Sequence, residues 1–195
     1  MTRTAAARAA VLGLAAGLAT TLLAAPAGPA RAAAPETTEV VLRVERCEGC
    51  TMQAHSYDGG TDPAWSGRAG TVEDGRVVLR VPTGRTEGMS ITVRAPWERR
   101  VGAVGNVVFR YAGHQPGDRV GTAAARAARR GSACFPGIDA PRIALTVRVH
   151  RARFDGTGGR ALAPAAYTTV TQPAVGNHHR VHDGFAGSQD VMPCR

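Results

Sequence analysis

The chain has 195 residues, of which 44% are hydrophobic and 20% charged, with a formal net charge of +9; it is long enough to bury a core, and this balance excludes a disordered class. All 24 basic residues are arginine, against 15 acidic residues, and lysine-free, alanine-heavy usage reads as the codon bias of a high-GC bacterial genome. The arginines are scattered (Arg43, Arg46, Arg68, Arg76, Arg80, Arg94 and onward) without interleaved aromatics, which excludes single-strand nucleic-acid recognition and leaves a solvated basic surface that associates with anionic cell-wall polymers in a salt-screened manner.

Arg3 and Arg8 precede an apolar run from Val11 to Leu23 and a small-residue segment with Ala30, Arg31 and Ala32, the pattern of a secretory signal peptide cleaved after Ala32. Residues 1–32 are therefore expected to be a leader and 33–195 a single secreted domain. The apolar run falls short of the roughly 20 residues that span a bilayer, so no membrane insertion is expected. After a linker at Pro35 to Thr38, the alternation of Val40, Leu42 and Val44 with Val41 and Arg43 predicts a first strand. It ends at Cys47, Glu48, Gly49 and Cys50, and Thr51 to Ser56 predicts a second strand. Tyr57 to Gly70 reads as a loop with Trp65 as its buried cap.

Asp74 to Trp97 predicts the central hairpin. Val77, Leu79 and Val81 form one apolar face, Met89, Ile91 and Val93 the other, and Pro82 and Pro96 mark the strand ends. Val104 to Tyr111 predicts a further strand, and Thr122 to Arg130 a short helix capped by Thr122, with Arg129 and Arg130 complementing its C-terminal dipole. Ile143 to Val149 is a strongly alternating strand and Tyr167 to Val170 another. From Pro173 onward the Gly, Asn, His, Asp and Ser content predicts a loop that Cys194 ties down. The sum is an all-β sandwich of about seven antiparallel strands, with one short helix after the fifth strand.

The segments CEGCTMQAHS, DGRVVLRVPTGRTEGMSITVRAPW and VVFRYAG resemble uncharacterised secreted proteins of actinomycetes, and their strand pattern is similar to transthyretin-like and carboxypeptidase-regulatory-like sandwiches. The resemblance covers roughly Glu39 to Ala112. It implies a fold and a compartment, and it carries no catalytic residue across.

Four cysteines in an exported chain point to two disulfides with three connectivities. Cys47 with Cys50 closes a turn between strands, and Cys134 with Cys194 fastens the tail; a crossed pairing is the alternative. A redox reading of Cys47 and Cys50 lacks the helix N-terminus that lowers a thiol pKa, and a zinc ribbon lacks its second pair. His178, His179 and His182, beside Asp183, are the densest candidate ligands for Zn²⁺ or Cu²⁺, set against a solvated polar loop. His55, His114 and His150 stand alone and read as surface or strand residues. Trp65, Trp97 and Tyr111 read as core anchors before binding-face residues. No nucleophile elbow, phosphate-cradling loop with lysine or HExxH is present, and Ser188 near Asp190 is the sole sketch of a hydrolytic group. The expected function is an extracellular binding or structural module for a protein or an anionic cell-wall polymer, without a cofactor. The rivals are a metal-binding protein using the tail histidines and a hydrolase.

Overall fold

Strand-forming runs of Val, Ile and Thr alternate with turn residues along the whole chain, and the structure is accordingly built from strands. A computed structural model describes residues 35–57, 64–97, 105–156, 159–176, 179–182 and 185–186 together with Cys194, with side chains at all of these but 154–156, 159–161, 179–182 and 185–186. The expected leader, residues 1–32, lies outside the described residues, as do His178, Asp183, Ser188 and Asp190. In chain order the elements are β1 (Thr37–Glu45), β2 (Thr51–Ser56), β3 (Trp65–Ser66), β4 (Gly70–Thr71), β5 (Arg76–Pro82), a 3-10 turn (Thr83–Arg85), β6 (Glu87–Arg94), β7 (Gly105–Val108) and β8 (Arg110–Tyr111). Then follow α1 (Thr122–Ala127), β9 (Arg130–Ser132), β10 (Phe135–Pro136), β11 (Arg142–Gly156), β12 (Gly159–Thr168), β13 (His179–His182) and β14 (Phe185–Ala186).

One curled, mixed sheet runs in the order β3-β2-β6-β7-β12-β11-β1-β5, and a small second sheet runs β14-β13-β9-β8. The all-β expectation holds. Most neighbours are antiparallel, whereas β1 with β11 and β12 with β7 run parallel. Curling turns one face of the large sheet inward. Val40, Leu42 and Val44 of β1, Val77, Leu79 and Val81 of β5, and Leu145, Val147 and Val149 of β11 meet Met52, Ile91 and Val93 from the far wall in one buried cluster. A second cluster lies on the opposite face, where Ala125 of α1 covers Val108, Ala163, Ala165 and Tyr167.

The central hairpin is not formed, although both of its strands are. β5 pairs with β1 at one end of the sheet, β6 pairs with β2 and β7 in the middle, and the polar segment between them is an arch. Burial of its threonines explains the arch. Thr83 Oγ1 lies 3.0 Å from Thr38 Oγ1, the Thr86 hydroxyl donates to the Thr83 carbonyl at 2.8 Å, and the Ile138 amide donates to Thr86 Oγ1 at 3.1 Å. These bonds tie the connection to β1 and to the 138–140 segment, so the two apolar faces meet across the core instead of side by side. The real hairpin signal is Asp74-Gly75. Asp74 (φ 51°) and Gly75 (φ 68°) both adopt the left-handed conformation that a type I′ turn requires, and Glu73 and Arg76 exchange backbone bonds at 3.0 Å across it.

Other boundaries shift for local reasons. The helix stops at Ala127 because Ala128 is extended (ψ 137°) and Arg130 already belongs to β9; Gly121 occupies the cap, and Thr122 turns its hydroxyl to the sheet. β11 and β12 form a long hairpin in register from Val147↔Thr168 to Gly156↔Gly159, reaching well past the two short strands expected from alternation. Gly105 accepts the parallel approach of β12, since a Cβ there would stand 2.1 Å from the Pro164 carbonyl oxygen. The tail expected as pure loop contributes β13 and β14, with β13 pairing to β9.

Candidate functional site: a basic sheet face

Cross-strand register collects arginines that lie far apart in the sequence. With Leu42, Val77 and Leu145 turned into the core, the alternate residues of β1, β5 and β11 share the outer face of the sheet. Three rows follow from the register. The first is Arg80, Glu39 and Arg142; the second Val78, Val41 and Ala144; the third Arg76, Arg43 and Thr146. The outer rows are charged and the middle one apolar, with four residues, or about 13 Å, between the charged rows and about 4.8 Å between neighbouring strands. Val78 is 37% exposed, whereas Val41 is covered by its neighbours at 3%.

The two charged rows differ in balance. Glu39 sits between two arginines and reaches Arg80 at 3.6 Å, an exposed pair of small energetic consequence. Arg43 stands directly opposite Arg76, with no carboxylate within 4.0 Å of either among the described residues. Like charges placed opposite one another across strands cost stability, and Glu73, the cross-strand partner of Arg76 on its other side, forms no ion pair with it. Farther along, Glu45 holds Arg148 at 2.5 Å, with the Arg148 Nε–H donating to the same carboxylate oxygen at 2.6 Å; that bond raises the Arg148 pKa and neutralises its charge locally. Beside β5 lies a groove of about 630 Å³, lined among others by Arg68, Arg76 and Arg80 and by two carboxylates, Glu39 and Glu73. The face thus offers guanidinium forks on both sides of an apolar strip, an arrangement suited to an extended anionic chain.

The expected scatter of basic residues is therefore corrected: Arg43, Arg76 and Arg80 converge, joined by Arg142, which alternation places on the polar face of its strand. The signal was present in the parity, because each of these arginines occupies the polar phase of its strand.

The cysteines have structural roles. Cys47 lies beside Cys50, and Cys134 beside Cys194, with Cα separations of 5.4 and 5.3 Å, and the described residues contain no free cysteine. Cys47 and Cys50 are 3% and 0% exposed, which closes them to thiol exchange. Between them Glu48 accepts both amides of the type I′ turn, Asp74 N–H at 2.9 Å and Gly75 N–H at 3.1 Å, so the CEGC loop is a clamp on the start of β5. His179 and His182 fall in β13, His178 is not among the described residues, and no group of three metal-ligating side chains occurs among those that are.

His55, read as a lone strand residue, is 7% exposed and joins β3 to β6: Nδ1 lies 2.9 Å from Ser66 Oγ and Nε2 3.0 Å from Thr92 Oγ1. Because the Thr92 hydroxyl donates to the Gln53 carbonyl, Nε2–H is the donor to Thr92 and Nδ1 accepts from Ser66. Burial first, and Arg94 second, lower the His55 pKa, so an imidazolium is disfavoured and this serine–histidine contact is a poor proton acceptor for catalysis. His150 stacks on Tyr167 with ring centroids 5.9 Å apart and meets Thr122 Oγ1 at 3.3 Å; burial, then Arg46, Arg126 and Arg148, lower its pKa. Tyr111 is buried in the second cluster, and Trp65 and Trp97 pack half-buried against the first, Trp97 beneath the Arg151 guanidinium at 4.8 Å. No described helix is long and apolar enough to cross a membrane. Comparison with family models, with curated proteins and with solved structures found no match to the chain.

Proposed function

We propose that this is an exported, disulfide-held β-module that binds an anionic cell-wall polymer through the outer face of β5, β1 and β11. The observation that carries the reading is the Arg43–Arg76 pair, two exposed cations held opposite each other with no ion pair to either among the described residues, Glu73 standing across the turn on the other side of Arg76. A protein retains such repulsion where a ligand relieves it. Exposed Val78 and Ala144, on either side of the covered Val41, give the uncharged part of a repeating chain a surface to rest on. The leader-like N-terminus, the two cysteine pairs and the transthyretin-like resemblance of Glu39 to Ala112 support the compartment and the module class.

The test is co-sedimentation of the chain lacking residues 1–32 with purified anionic cell-wall polymer across a salt series. Binding is expected to weaken steeply as salt rises, and a triple variant carrying Arg43→Gln, Arg76→Gln and Arg80→Gln is expected to lose binding on the order of tenfold or more while melting at or above the wild-type temperature. Salt-insensitive binding, equal binding by the triple variant, or competition won by an acidic protein in place of the polymer overturns the reading.

A further inference from the structure

We infer that the Arg76, Arg43 and Thr146 row is a subsite for a phosphate group, which makes the polymer a phosphodiester rather than a polycarboxylate. The inference rests on the binding face proposed above and names the chemistry that the face selects. Arg76 on β5, Arg43 on β1 and Thr146 on β11 are consecutive across three strands on the same outer face. Cross-strand neighbours stand about 5 Å apart at Cβ, so two guanidinium forks rise side by side with a hydroxyl at the third position. A planar carboxylate satisfies one fork bidentately and leaves the other facing a second positive charge. A tetrahedral phosphate directs oxygens to both forks and accepts from a hydroxyl as well.

The neighbouring row sharpens the contrast. There the central position is Glu39, which supplies its own carboxylate to Arg80 at 3.6 Å, whereas the central position of the phosphate row is itself an arginine. The first row carries its carboxylate between its two arginines, whereas the third carries Glu73 at its end, across the turn from Arg76, and leaves Arg43 and Arg76 adjacent for an external anion. The groove along β5 borders the third row, with Arg68, Thr71 and Glu73 lining it beside Arg76. An extended phosphodiester lying across the face places one phosphate on this row and its uncharged linkage on Val78 and Ala144.

The experiment compares a synthetic glycerol phosphodiester polymer with poly-glutamate of equal charge number, by calorimetry on the chain lacking residues 1–32 at fixed ionic strength. The phosphodiester is expected to bind about tenfold more tightly or better. Arg43→Lys and Arg76→Lys, which keep the charge and remove the fork, are expected to erase that preference while leaving the salt dependence intact. Equal, salt-sensitive binding of both polymers overturns the phosphate subsite and leaves the basic face standing. A preference that survives both lysine variants also overturns the subsite, and absence of binding by either polymer overturns both readings.

Discussion

Buried polar atoms set the residue-scale behaviour. Ser90 is fully buried, and its hydroxyl has no partner among the described residues, so the desolvation of that group is uncompensated. Ser90→Ala is expected to leave stability unchanged or to raise it by about 1 kcal/mol, read from the urea midpoint. Glu48 shows the opposite case: Glu48→Ala removes the acceptor of two turn amides and is expected to cost about 1 kcal/mol in the same measurement. His55 adds a pH dependence. Its folded pKa lies below 6.5 because burial, and then Arg94, disfavour the charged ring, so the unfolded chain binds the proton more tightly. That contribution is fully present above pH 6.5 and is lost as pH falls through the folded value. Melting temperature is therefore expected to drop on acidification below about pH 6.5, and to drop less in His55→Asn; an equal drop in both would assign the acid sensitivity elsewhere.

At the scale of elements, period-two alternation located strands well and their partners poorly. Val77, Leu79 and Val81, with Met89, Ile91 and Val93, are buried as their spacing implied, yet the two strands face each other across the core. The reason is that alternation records which face is apolar and contains nothing about which neighbour closes the ladder. The polar phase of β6 misled in a second way, since Ser90 and Thr92 are buried too, β6 lying between β2 and β7. The long β11–β12 hairpin was read short because four of the ten residues of its β12 arm are alanine, a weak strand former that here provides the flat surface against α1. Gly105 belongs to this scale as well. Gly105→Ala drives a methyl group into the Pro164 carbonyl and is expected to destabilise by about 2 kcal/mol or more, seen as a lowered urea midpoint, by forcing β7 away from β12.

Across the whole molecule, the two cysteine pairs act on very different loops. Cys134 and Cys194 are 60 residues apart, so their link constrains the unfolded chain by about 4 kcal/mol in the entropic account, while Cys47 and Cys50, 3 apart, constrain it far less. Replacing Cys134 and Cys194 together by serine is expected to lower stability by up to about that amount, against a much smaller loss for the Cys47 and Cys50 double replacement; calorimetric melts of both variants check the order. The sequence by itself determined the all-β class, the apolar phase of the strands and the spacing of the cysteines, because these depend on local stereochemistry and side-chain period, whereas Asp74-Gly75 was read only as the opening of a longer hairpin. The parallel pairings, the arch between β5 and β6 and the basic face were decided only by tertiary structure. Arg43 and Arg76 become neighbours through the register of β1 against β5, and register is set by how two apolar faces share one core, a property of the assembled sheet that no single segment contains.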